Sequence, residues 1–275
     1  MKPLNTLTDP VYCTPEKFSG FDKFWLNFIN DKRDLPFIYL LTWIHVLVVP
    51  AAIILFTPLL QGWYWWALAI PYFYVAQLYF KGRFGLMFHC ICHRKLFKKS
   101  YQWAFTYITW IICPLFGHAP EGYFSHHIGM HHIENNLPDD TSSTMPYRRD
   151  SLRGFLKYFF NFILTGVINT IMYLYDRKKK KLYQRLTAGE YIYMAFCIIM
   201  CFVNFKATMM VFAGPLLFAR LVMMLGNWTQ HAFVNLTSLE DNTINCINTK
   251  YNKTCWNDGY HAVHHIRPAM HYTEI

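Results

Sequence analysis

The stretch HIGMHH, residues 127–132, decides how this chain is read, together with HCICH at 89–93 and HAVHH at 261–265. They supply His127, His131 and His132, then His89 and His93, then His261, His264 and His265. A ninth histidine, His231, follows Asn227 by four residues in NWTQH. Neutral imidazole is the commonest nitrogen ligand for metals. Nine imidazoles exceed what one tetrahedral zinc takes, about four ligands, or about three when catalytic. They suit a dinuclear centre of two ions with about four or five ligands each.

The spacing predicts helices. Residues four apart share a helical face, with Cβ atoms about 5–6 Å apart. His89 with His93, His127 with His131, Asn227 with His231, and His261 with His265 are such pairs. Each segment then offers two ligands to a common centre, a doubled histidine adds a third, and Asn227 joins the candidate set. Cys90 and Cys92 point off the ligand face of a helical first box. Each ring's second nitrogen needs an acceptor, and Glu121, Glu134, Asp139, Asp140 and Asp258 are the acids close enough in sequence. His118, His126 and His271 flank the boxes as supporting groups.

Outward from the boxes, the composition is that of an integral membrane protein. It is 54% hydrophobic, 19% aromatic and 15% charged, where soluble domains carry about 25% charged residues. Apolar runs at 36–60, 62–80, 188–205 and 207–226 are about the 20 residues a span requires. Links at 60–62 and 204–206 make two transmembrane helical hairpins of four spans. The expected fold is therefore all-α, with residues 1–35 as an N-terminal segment and 36–275 as one catalytic domain. His45, mid-span, is expected to be a hydrogen-bonded packing residue.

Basic residues from Lys2 to Arg33, from Lys81 to Lys99, and from Arg177 to Lys181 fall on the side of the termini. Positive-inside bias places both termini and all three boxes in the cytoplasm. Residues 102–117 and 154–175 are also apolar, but a single crossing by the first would separate the first two boxes, and one by the second would put Arg177–Lys181 on the wrong side and strand His231 away from the boxes. Both are expected as interfacial or re-entrant helices. Arg220, near the end of the fourth run, is expected to snorkel to headgroups. The net charge of +10 fits an anionic lipid surface, and no nucleic-acid motif is present.

Three boxes in this order, flanking two apolar hairpins, resemble the membrane fatty acid desaturase family, part of a superfamily with membrane hydroxylases, alkane monooxygenases and carotenoid oxygenases. The resemblance runs over roughly residues 36–271. It implies two iron ions held by His89, His93, His127, His131, His132, His231, His261, His264 and His265, with Asn227 acting nearby. It also implies O2 as co-substrate and hydrogen abstraction from an unactivated C–H bond of a membrane lipid or fatty acyl chain. The three-residue gap in the first two boxes departs from acyl-CoA delta-9 desaturases and fits acyl-lipid desaturases and membrane hydroxylases better.

No glycine fingerprint for flavin or nicotinamide occurs, and no fused haem element is present. The resemblance therefore implies an external donor, cytochrome b5 or ferredoxin; the location is expected to be multi-pass, by default in the endoplasmic reticulum, with a plastid or bacterial membrane as the alternative. Hydroxylation or ketolation at the same centre is the alternative outcome. A zinc hydrolase or metal transporter is the remote one; no H-E-x-x-H occurs, and these ligands lie beyond the span ends.

Overall fold

The computed structural model describes residues 7–13, 15–235 and 241–275. Residues 1–6, with Lys2, and Thr14 of the N-terminal segment lie outside the described residues. The described chain is helical, with one isolated bridge between Ile29 and Phe97. The helices that build the site are α1 (Lys32–Phe56), α2 (residues 62–93), α3 (residues 103–115), α4 (residues 122–134), α5 (Leu152–Asp176), α6 (Lys180–Thr208), α7 (residues 209–231) and α8 (His261–Ile266).

Three helical stretches are long and apolar enough to cross a membrane: Lys32–Phe56, Leu152–Asp176 and Lys180–His231. The first and third contain three of the four expected spans. The run at 62–80 is helical but is not among the three. Its tryptophans and tyrosines, which suit a headgroup boundary, dilute the aliphatic content. Leu152–Asp176 qualifies by length and composition although it was expected to lie in the interface.

Contacts join helices that follow one another in the chain. Trp65 Nε1 donates to Leu55 O at 3.0 Å, joining α2 to the end of α1. The 52-residue stretch bends at Asn204, whose φ of −156° and ψ of 95° leave the helical region. Beyond the bend α7 runs back along α6. Tyr193 Oη donates to Phe212 O at 3.2 Å, and Glu190 meets Arg220 at 2.9 Å. Apolar faces gain little by meeting each other in lipid, so packing and interhelical hydrogen bonds, at about 0.6–2 kcal/mol each, hold such pairs.

Proline shapes these helices. Widened π turns at Ile44–Val48, Ile108–Ile112 and Met209–Ala213 each precede a proline by two residues: Pro50, Pro114 and Pro215. Proline lacks an N–H and its ring clashes with the carbonyl four residues back. A π turn moves that carbonyl away without ending the helix.

The α3 segment is packed inside the assembly. Ile108, Ile112 and Cys113 are buried, and Leu115 O accepts from Gln77 Nε2 at 2.8 Å. Gly117 has φ +73°, and a Cβ there would lie 1.9 Å from Pro215 O, so only glycine lets this turn touch the start of α7. His45 sits as expected, with Nδ1 2.7 Å from Leu41 O and Nε2 2.8 Å from Tyr107 Oη. Lys81, expected among the topogenic charges, is instead buried, donating to Gln77 Oε1 at 3.1 Å and to Phe116 O at 2.5 Å.

Candidate metal centre

All nine histidines converge in two groups. His89, His93, His127, His132 and His264 form one, and His131, His231, His261 and His265 form the other. In each group one ring nitrogen per residue lies within 4.8 Å of all the others. The helices α2, α4, α7 and α8 deliver them from four directions.

The pairing differs from that expected in the second box. Four-residue spacing put His127 with His131, but His127 joins His132, with Nε2 atoms 3.0 Å apart, and His131 turns to the other group. The cause is a π turn over His127–His131. It lengthens the repeat to five residues, so one short helix serves both groups. In α8 the four-residue pair His261 and His265 stays together, while His264 crosses to the first group.

Distances within the groups bear on the ion. In the five-histidine group, Nε2 separations are 2.8 Å for His89–His264, 3.1 Å for His93–His127 and 2.9 Å for His132–His264. In the four-histidine group, His261 Nε2 stands 3.2 Å from both His231 Nε2 and His265 Nε2. With metal–nitrogen bonds of about 2.1 Å, ligands at right angles sit about 3.0 Å apart and tetrahedral ones about 3.4 Å. The spacing suits ions of higher coordination number than structural zinc.

Proton counting shows that a cation fits. His231 Nδ1 donates to Asn242 O at 2.7 Å, and His265 Nδ1 to Asn135 Oδ1 at 3.0 Å. A neutral imidazole protonated on Nδ1 carries a lone pair on Nε2. Two such lone pairs face His261, which can offer one proton, and whose buried Nδ1 has no partner. His89 Nδ1 donates to Asp258 at 3.1 Å and His131 Nδ1 to Asp140 at 2.8 Å, aiming two more Nε2 lone pairs inward. An ion between these lone pairs resolves the conflict.

Electrostatics agree. Burial first, then the neighbouring rings, pushes His93 down to about 3. Burial likewise takes His261 to about 3 and holds His127, His231, His264 and His265 well below their usual value. Neutral imidazoles are what a metal requires. Burial opposes the ionised form of Asp140 and Asp258, but their histidine partners outweigh it and keep both carboxylates ionised.

Sequence comparison decides the family: the family model described as "Fatty acid desaturase" matches residues 64–275. The chain belongs to the fatty acid desaturase family. No curated protein and no solved structure matches it.

In this desaturase-family chain two of the five candidate acids, Asp140 and Asp258, hold rings of the two histidine groups, those of His131 and His89. The others do different work. Glu121 pairs with Arg185 at 2.6 Å, Glu134 with Arg177 at 3.4 Å, and Asp139 with Arg177 at 2.5 Å. Asn227 donates its amide to Ser142 O at 3.0 Å and Tyr158 Oη at 2.8 Å. Ser142 Oγ in turn donates to Asp140 at 2.6 Å, so Asn227 braces the carboxylate behind His131. Cys90 and Cys92 belong to neither group. His271 pairs with Asp34 at 3.0 Å, and His118 and His126 line a cavity beside the centre.

Sequence reasoning missed Asn135, Asn242 and Glu190. Asn135 and Asn136 end α4 in the left-handed region, at φ 48° and 63°, which asparagine tolerates better than most residues. The Asn-Asn pair right after a histidine box is a legible stop signal. Asn242 acts through its backbone carbonyl, which no side-chain pattern announces. Glu190 meets Arg220 through both carboxylate oxygens, at 3.0 and 2.9 Å, so Arg220 is held in a partly buried pair and does not snorkel.

Proposed function

We propose that this protein is a membrane di-iron, O2-dependent lipid desaturase that introduces a double bond into a fatty acyl chain. The observation that carries the reading is the convergence of nine imidazoles in groups of five and four, within a desaturase-family chain. His89, His93, His127, His132 and His264 would hold one iron; His131, His231, His261 and His265 would hold the other. When bound, the irons supply O2 activation and removal of hydrogen from an unactivated C–H bond. Tetrahedral zinc chemistry is disfavoured by the ligand spacing.

The chain's own groups prepare that site. Asp258, Asp140, Asn242 O and Asn135 Oδ1 keep the proton on Nδ1 of their histidines and leave Nε2 free to bind. Tyr123 stacks on His127 at 5.1 Å between centroids and closes one side to water. Side chains along α5 meet residues around the centre over most of its length. Tyr158 bonds Asn227, Phe162 lies 5.7 Å from His126, and Thr170 Oγ1 is 3.0 Å from Thr141. These contacts support a helix lying in the interface beside the metal layer. α1, α2, α6 and α7 would then form the two membrane hairpins, with both termini and the histidines on the cytoplasmic side of the endoplasmic reticulum. A separate cytochrome b5 or ferredoxin would deliver electrons.

Expression in membranes of a heterologous host with cytochrome b5, followed by lipid product analysis, tests the reading. New double bonds that vanish in His131→Ala, with about two irons per chain in the purified protein, are the expected result. Hydroxylated or keto lipids lost in the same control would overturn desaturation in favour of oxygenation. Bound zinc without any lipid product would overturn the oxidoreductase reading.

A further inference from the structure

A groove of about 430 Å³ runs along the outside of α1 and α2. That volume lies within the about 300–1,000 Å³ typical of small-molecule sites. Tyr39, Trp43 and Leu47 of α1 and Tyr79 of α2 line it and are each roughly half-exposed. At one end stands Arg83, its guanidinium 4.4 Å above the Tyr79 ring and donating to Tyr79 Oη at 3.2 Å. Among the described residues no carboxylate pairs with it. From Pro36 to Leu47 the groove follows α1 over twelve residues, whose rise is about 16 Å of helix. This is about half of a hydrocarbon core of about 30 Å, the depth of one leaflet.

The groove is separated from the metal centre by one side chain. Trp256 lines it and also lines a second cavity, whose walls include His89, His93 and His264 of the five-histidine group. The indole is held edge-on to Phe37, with centroids 4.8 Å apart, and its Nε1 donates to Arg83 O at 2.8 Å. An unpaired guanidinium at the polar end of an apolar, leaflet-deep trough matches one kind of occupant. Its head carries a phosphate, which Arg grips through charge-assisted, often bidentate bonds, and its tail is an acyl chain.

We propose that this groove is a lateral port for a membrane phospholipid, with the phosphate on Arg83, one acyl chain along Tyr39, Trp43 and Leu47, and Trp256 as the wall towards the metal centre. The proposal rests on the lipid-desaturase reading and narrows its substrate to an acyl chain still esterified in a phospholipid. Trp256 is a positioning residue and touches no reacting atom.

The test uses the full-length, metal-free protein in vesicles of phosphatidylcholine, part of it carrying a photoreactive diazirine on one acyl chain. Crosslinks are mapped by mass spectrometry. The expected labels fall on residues 39–47 and on Tyr79, and drop about tenfold in Arg83→Gln, as expected for loss of one charge-assisted phosphate contact. Leu47→Trp, which fills the groove from its far end without touching Arg83, should abolish them too. Labels spread evenly over the lipid-facing helices would overturn the port. So would groove labels indifferent to Arg83→Gln, or a diazirine fatty acid that labels the groove as well as the phospholipid. The readout needs neither metal nor turnover. A protein that makes no double bonds yet labels in the groove sinks the enzymatic reading alone; an active protein without groove labels sinks the port alone.

Discussion

His127 and His132 stand five residues apart in sequence, yet their Nε2 atoms lie 3.0 Å apart, while His131, one residue nearer, faces Asp140 and the other group. One π turn creates this division. It lets a single short helix contribute to both histidine groups, which a regular α-helix with its four-residue repeat could not do in this register.

Deleting Ile128 removes the extra residue of that turn. We expect the purified variant to fold but to carry less than about one iron per chain, against about two in the parent, since both coordination spheres lose a member. Elemental analysis decides it; a variant that retains the parental iron would show that the π turn is dispensable.

The carboxylates behind the rings should matter nearly as much as the rings. Asp140→Asn and Asp258→Asn each remove an acceptor charge from a ligand histidine. Each should weaken iron retention about 10–100-fold, the usual cost of losing such a partner. Asp139→Asn, which touches only Arg177, should bind iron as the parent does. Competition with a chelator measures all three.

Acid should destabilise the metal-free protein in a defined window. Burial pushes His93, His118 and His261 down to about 3 and His126 to about 4. The unfolded chain takes up these protons near pH 6.5, whereas the folded chain refuses them, so the unfolded state binds more protons between the two values. Stability is therefore complete above about pH 6.5 and falls as pH drops towards 3, by about 1.4 kcal/mol per pH unit for each such histidine. Melting temperatures of the chelator-treated protein in detergent should be level from about pH 8 to 7 and decline below about 6.5. A profile flat to pH 5 would contradict the burial of these rings.

The Glu190–Arg220 pair locks α6 to α7 beside the centre. Glu190→Gln leaves a partly buried guanidinium, its side chain 17% exposed, without its charge partner and should cost about 2–3 kcal/mol. Replacing both residues with Leu and Met should cost much less. Thermal denaturation of the two variants in detergent distinguishes this from a surface pair, for which both changes would be within about 1 kcal/mol.

Much of the site was legible because metal chemistry is local. Imidazoles at three- and four-residue spacing pointed to helices, and nine of them pointed to a site with two centres; the histidines do lie on helices and gather in two groups. The acids were legible only as a list. Choosing Asp140 and Asp258 over Glu121, Glu134 and Asp139 depends on loops that bring residue 258 to residue 89 and fold residues 136–142 around one carboxylate. Span reading was less secure for a similar reason. The aromatic run at 62–80 and the helix Leu152–Asp176 have compositions that admit either a crossing or an interfacial place, and neighbours distinguish them.

The sequence by itself determined the ligand types, their helical setting and the apolar character of the chain, since each follows from residue identity and short-range periodicity. Tertiary structure alone decided which histidine joins which group, because a one-residue widening of a helix re-aims the rings that follow it and leaves no trace in spacing. It also decided that Arg220 meets Glu190, thirty residues away. A charge in a low-dielectric interior is stable only opposite its partner, and that partner is found by packing.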